Sequence, residues 1–157
     1  MNDGLRSAGA GDLLQPTAAG LYCPAGDFYI DPPRPVARAV VSHAHADHAR
    51  PGSDCYLAAA PGAGILRRRL GAAIRLQTLA YGERLRIGGV TLSLHPAGHI
   101  LGSAQVRLEL GGEVWAVTGD FKTCKAVIDT MVNDMKGPLL PNLGSGTNSN
   151  YAAVDTS

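Results

Sequence analysis

The chain has 157 residues, 45% of them hydrophobic and 17% charged, which is the balance of one globular domain with its own core and too little for two. A formal net charge of +1 excludes a strong global field for drawing in polyanions, although 11 of the 14 basic residues are arginine and the 3 lysines all lie at or after Lys122. No apolar run reaches the roughly 18 residues of a membrane span, and the start MNDGLRSAGAGDLLQ lacks the basic and apolar stretches of a secretory signal, so a cytoplasmic protein with no membrane partner is expected. Cys23, Cys55 and Cys124 form no CxxC pair, which argues against a disulfide framework or a thiolate zinc site and for inert thiols.

In chain order, residues 1–20 read as a loose lead-in rich in Gly, Ala and Ser. Phe28, Tyr29 and Ile30 then make a short strand closed by Asp31-Pro32-Pro33. VARAVVS is a second strand whose apolar run predicts burial on both faces. CYLAAAPGAGILRRRLG reads as strand, turn and helix, with Ile65, Leu66 and Leu70 on the apolar side, Arg67, Arg68 and Arg69 solvated, and Gly71 as the stop. From Arg84 the period changes to two. RLRI and VTLSLH form one hairpin about Gly88-Gly89, and AQVRLEL and EVWAVTGD a second about Gly111-Gly112, with Leu92, Leu94, Val106, Leu108 and Leu110 inward. Trp115 belongs to the core of that second hairpin rather than to a base-stacking platform. After Lys122 the character shifts: Ile128, Met131, Val132 and Met135 recur at helical spacing, and GPLLPNLGSGTNSN reads as a disordered tail.

Ser42-His43-Ala44-His45-Ala46-Asp47-His48 places three of the chain's 5 histidines and an aspartate directly after a buried strand. Alternation along an extended strand would turn His43 and His45 to one side, and Asp47 and His48 can point back as the chain turns. Packing has no use for four such groups together, whereas a pair of metal ions at the roughly 3.5–4 Å spacing of two-metal sites does. Arg50 follows the cluster and is either a fork for substrate phosphate or a solvated side chain. His95 reads as a surface or supporting histidine.

HAHADH resembles the signature of the metallo-β-lactamase superfamily, and the order of further motifs agrees with it. PAGHILGSAQ is similar to the third motif and VTGD to the fourth, which implies that His99 is a ligand and that Asp120 bridges both metals. YIDP is similar to the first motif, which implies that Asp31 holds the histidine loop from behind. Within the superfamily, GLYCPAGDFYIDPPRPVARAVVSHAHADHARPGS and LHPAGHILGSAQV are similar to β-CASP-type nucleases, in particular ligase-associated DNA exonucleases and mRNA 3′-end-processing-like exonucleases, over about residues 13 to 122. The resemblance implies an α+β (α/β) metallo-β-lactamase-like αββα sandwich in residues 21–122, N-terminal portion only, with residues 123–157 unrelated to the family. The stretch of such nucleases that carries their last metal-binding histidine would lie beyond the matched part.

These readings combine into one expectation. His43, His45 and His99 hold one zinc; Asp47, His48 and Asp120 hold a second ion, weakly, with manganese as a possible substitute. Asp47 and Asp120 serve the reaction, and a metal-activated hydroxide attacks phosphodiesters of DNA or RNA, in DNA repair and in association with a DNA ligase. The alternatives are a thioester or lactone hydrolase of the same superfamily, and a truncated or frame-shifted fragment that only binds metal.

Overall fold

The alternating and apolar runs assemble into two sheets in the computed structural model, which describes residues 13–122. The first sheet has the order β1 (Gln15–Thr17), β2 (Gly20–Cys23), β3 (Phe28–Ile30), β4 (Arg38–Val40), β5 (Cys55–Ala59) and β6 (Leu76–Leu79). Its β1–β3 part is antiparallel, and β3 to β6 run parallel. The second sheet is an antiparallel meander of β7 (Arg84–Ile87), β8 (Val90–Pro96), β9 (Ala104–Leu110) and β10 (Glu113–Val117).

Period-two alternation decides what each strand buries. Phe28, Ile30, Val40 and Leu57 of the first sheet meet Val90, Leu92, Leu94, Val106 and Leu108 of the second in one core between the sheets. The opposite face of the parallel strands, Ala39, Val41, Tyr56 and Ala58, packs on Leu66 of the single described α-helix, α1 (Ala63–Leu70). β4 and β5 therefore alternate between two apolar surroundings, which is why VARAVVS shows no polar face. Phe28 is 1% exposed, and its truncation to alanine is expected to cost about 3–5 kcal/mol of stability, readable in a denaturant midpoint. The arrangement is two sheets packed face to face, with α1 on the outer face of the six-stranded sheet.

Several local expectations change. Strand order begins at Gln15 rather than after residue 20: Leu13 and Leu14 are buried in the inter-sheet core, and β1 is an edge strand where Pro16 needs no ladder N–H. Ile65 is exposed rather than on the apolar side of α1, where Leu66 is buried and Leu70 packs against the core at its border. β6 adds an edge strand that carries no clear alternation. Trp115 packs half-buried against the inter-sheet core, Cys23 is fully buried, which pushes its thiol pKa up, and Cys55 is half-buried. The lead-in expected before residue 13 and the helix and tail expected from 123 on, Cys124 included, lie outside the described residues. Among the described residues, no helix is long and apolar enough to cross a membrane.

Candidate metal centre

Three loops converge at one end of the sandwich. Residues 41–49 follow β4, residues 97–103 join β8 to β9, and residues 118–122 follow β10. Backbone hydrogen bonds tie them: Ala104 N–H donates to the Ser42 carbonyl (2.8 Å) and Lys122 N–H to the Ala97 carbonyl (3.0 Å). His43 and His45 lie in the first of these loops, not on the strand, so their convergence comes from the turn rather than from strand alternation. The His45 carbonyl accepts from both His48 and Ala49 N–H, which winds the loop back on itself.

The winding gathers His43, His45, His99 and Asp120, whose nearest ligand atoms all fall within 4.8 Å of one another. His45 Nδ1 is 3.1 Å from His43 Nε2 and 3.2 Å from His99 Nε2. Asp120 Oδ2 is 3.6 Å from each of those Nε2 atoms. Ligand atoms about 2.0–2.1 Å from a tetrahedral ion stand roughly 3.3–3.4 Å apart, so this donor set fits a zinc-sized ion. The other carboxylate oxygen, Asp120 Oδ1, is buried without a hydrogen-bond partner and lies 3.7 Å from His48 Nε2. Asp47 Oδ2 is 3.6 Å from the same Nε2. Buried carboxylate oxygens are rarely left unpaired, and an atom in this position is suited to a cation. The described residues thus include one cluster able to hold a metal ion and a second group, Asp47, His48 and Asp120, beside it.

Behind the ligands sits Asp31, buried, at φ +44°. Its Oδ1 accepts from Ser42 N–H (2.7 Å), and its Oδ2 from the Ser42 hydroxyl (2.5 Å) and His48 Nδ1 (2.7 Å). Nδ1 of His48 is thereby occupied and Nε2 faces Asp47 and Asp120. With its proton given to Asp31, the Ser42 hydroxyl can accept from His43 Nδ1 at 3.1 Å, which leaves His43 Nε2 as a lone-pair donor. Ser42 and Ser103 were not among the residues expected from the sequence. Ser103 Oγ accepts from the N–H groups of His99 and Ile100 and shapes the His99 loop, while the Ser-His and Gly-Ser dipeptides flanking the motifs were the only available signals. Removing such a support typically costs 10- to 100-fold in metal affinity, so Ser42→Ala is expected to weaken the first zinc by about that factor in a competition titration with a chromogenic chelator.

Two glycines make the approach of the loops possible. A Cβ at Gly119, which has φ +57°, would stand 2.9 Å from the Ser42 side chain, and one at Gly102, φ +78°, would stand 2.2 Å from the Gly62 backbone. The first lets the chain leading into Asp120 pass against Ser42, and the second presses the His99 loop onto the turn before α1.

Electrostatics divides the imidazoles. Burial, aided by His48, lowers the His43 pKa to about 4, so His43 is neutral at physiological pH as a ligand must be. Burial also works against charging His48, yet the hydrogen bond and charge of Asp31, with Asp120 and Asp47 nearby, hold its pKa above the ordinary value. An ion at the Asp47–His48–Asp120 position therefore has to displace a proton. Its occupancy is expected to fall as pH is lowered through the raised His48 pKa, with protons released on binding; calorimetry in buffers of different ionisation enthalpy reads that release.

Of the remaining expectations, Arg50 is exposed, and its side chain engages none of the site residues; its carbonyl accepts from the Tyr56 hydroxyl, which also receives Ser53 N–H. His95 stays on the sheet, with Nε2 3.0 Å from the Ser93 hydroxyl.

No family model matches the chain. It is 43% identical over 107 residues to a probable DNA ligase of Opitutus terrae, a match covering 66% of this chain and 10% of that protein. It is 54% identical over 48 residues to the transcription termination factor FttA of Pyrococcus abyssi, covering 29% of this chain and 7% of that one. The chain thus spans about a tenth or less of the curated relatives it matches. Among solved structures, a protein of unknown function from Enterococcus faecalis V583 is similar with a TM-score of 0.55 at 17% identity, over 64% of this chain and 29% of that one.

Proposed function

We propose that this chain carries the metal centre of a metal-dependent hydrolase acting on the phosphodiester bonds of DNA or RNA. One observation carries the reading: Asp120 stands between two donor groups, with Oδ2 toward His43, His45 and His99 and with the buried, unpartnered Oδ1 toward His48. One carboxylate shared in this way suits two ions held side by side, the arrangement used to clamp the attacking and leaving oxygens of an in-line phosphoryl displacement. The 43% identity to a probable DNA ligase and the 54% identity to a transcription termination factor support a nucleic-acid substrate over a thioester or lactone.

His43, His45 and His99 would hold the first ion, and Asp47, His48 and Asp120 the second. Zinc bound there supplies Lewis acidity and lowers the pKa of water from about 15.7 to near 7. The chain's own residues do the rest. Asp31 and Ser42 fix which ring nitrogens of His43 and His48 face the centre, and Asp120 presents two oxygens to the reacting region. Asp47, exposed beside His48, turns Oδ2 toward the second group and keeps its other carboxylate oxygen to accept a proton. Arg50 is the nearest arginine in sequence to the ligand loop and is assigned to substrate phosphate on that ground.

The test is hydrolysis of bis-p-nitrophenyl phosphate and of a labelled oligonucleotide by the 157-residue chain loaded with zinc or manganese. Turnover, however slow, that a chelator removes and that His43→Ala and Asp120→Asn each abolish supports the reading. Cleavage of a thioester or lactone without any phosphodiester cleavage overturns it, and metal binding with no hydrolysis of any of these substrates assigns the chain to metal binding alone.

A further inference from the structure

At the end of the sandwich opposite the metal centre, the two sheets part around a cleft of about 470 Å³. Phe28, Arg38, Cys55 and Arg75 stand in a row across its wall. Arg38 is the register partner of Cys55, Tyr29 pairs with Ala39 and so sets Phe28 beside Arg38, and Tyr56 pairs with Leu76 and so sets Arg75 beside Cys55. Arg38 and Cys55 lie two residues before Val40 and Leu57, and Arg75 four before Leu79; all three of those later residues belong to the inter-sheet core. By alternation, Arg38 and Cys55 share the side of Val40 and Leu57, and Arg75, just before β6, stands beside them; here the sheet edge is open to solvent, with both arginines exposed and Cys55 half-buried. Leu85 and Ile87 of β7 line the opposing wall, and Arg86 stands at the rim.

The charges there are uncompensated. No acidic residue lines the cleft, and among the described residues no carboxylate pairs with Arg38, Arg75 or Arg86. Among the described residues, Arg38 reaches the Gly26 carbonyl at 3.5 Å and Arg86 the Gly88 carbonyl at 3.4 Å. Glu109, which shares the outer sheet face with Arg86, is already held by Arg84 and Arg107. Strands about 4.8 Å apart place the Arg38 and Arg75 backbones roughly 10 Å from each other, a span that two guanidinium arms close around one multivalent anion. The volume is that of a small-ligand site, and the half-buried Leu85 and Ile87 give it an apolar side.

We propose that this cleft binds a phosphate group carried on a flat apolar body, as in a nucleotide, with Arg38 and Arg75 on the phosphate and the body against Leu85 and Ile87 of β7. The site is separate from the metal centre and does not depend on its chemistry.

Calorimetric titration of the metal-free 157-residue chain with 5′-AMP, adenosine and inorganic phosphate tests it. AMP is expected to bind at least tenfold more tightly than adenosine or phosphate alone, and the Arg38→Gln/Arg75→Gln variant to lose at least tenfold in AMP affinity while keeping its zinc affinity. AMP should also slow alkylation of Cys55, read on its own peptide by mass spectrometry, because that thiol lies between the two arginines. A free nucleotide and a strand terminus share this chemistry: a 5′-phosphorylated oligonucleotide that displaces AMP assigns the cleft to a strand end, and failure to displace assigns it to the free nucleotide, either result upholding the site. The proposal is overturned if AMP does not bind, if adenosine binds as well as AMP, if the double variant retains full affinity, or if Cys55 reacts at the same rate with AMP present.

Discussion

His43→Ala is expected to weaken the binding of the first zinc by roughly 10²–10³-fold. Zinc held by four protein ligands contributes on the order of 10–16 kcal/mol, so one ligand accounts for about 3 kcal/mol. Nothing nearby can replace His43. Its Nε2 is fixed by the Ser42 contact at Nδ1, its ring is 2% exposed, and the other donors, His45, His99 and Asp120, are already committed to the same point. The same linkage makes zinc a folding ligand: at about 1,000 times its Kd it adds roughly 4 kcal/mol, which for a domain of this size raises the melting temperature by on the order of 10 °C. His95→Ala serves as the contrast and should leave both quantities near the wild-type values, since His95 is bonded to Ser93 on the sheet. A zinc-independent melting temperature in the wild type, or an unchanged zinc affinity in His43→Ala, would remove the first metal position from the reading.

Much of this centre could be read from the chain because its residue types have no packing use. Four metal-binding side chains in six residues, followed by His99 and Asp120 at hairpin ends, have few other reasons to be where they are, and the hairpins were legible because polar residues alternate with apolar ones along β8 and β9 and double glycines mark the turns. What stayed hidden depends on contacts between distant segments. β1 carries Gln, Pro and Thr and is a strand only because it pairs with β2 at a sheet edge. Ile65 belongs by spacing to the apolar side of α1, but Leu66 occupies the contact with the sheet. Ser42 is an ordinary polar residue in sequence; its importance arises from an aspartate eleven positions earlier and a glycine at 119 that lets the chain come close. His43 and His45 converge, though by the turn of their loop and not by the strand periodicity that suggested it.

Asp31→Asn should show how much of the centre rests on that buried support, with an expected loss of about 3–5 kcal/mol in stability of the metal-free chain, the range for removing one partner of a buried ion pair. Asparagine keeps the volume and tolerates the positive φ, so the change isolates the charge. Three acceptor contacts weaken or invert at once: those with Ser42 N–H, the Ser42 hydroxyl and His48 Nδ1. The pH dependence separates the charge from mere loss of fit. The folded-state pKa of His48 is raised chiefly through Asp31, against the opposing effect of burial, so the stability it contributes is fully present below the unfolded value of about 6.5 and is lost as pH rises through the folded value. The wild-type advantage over Asp31→Asn should therefore be largest on the acid side and narrow as pH rises past the His48 pKa. His43 acts in the other direction, since a pKa lowered to about 4 contributes stability above 6.5 that is lost as pH falls toward 4, but it does so in both proteins and cancels in the difference to the extent that Asp31 leaves it unchanged. Urea midpoints of the two proteins between pH 5.5 and 8.5 measure the quantity directly. A difference that does not vary with pH would mean that Asp31 supports the loop through geometry alone, and that His48 is held neutral.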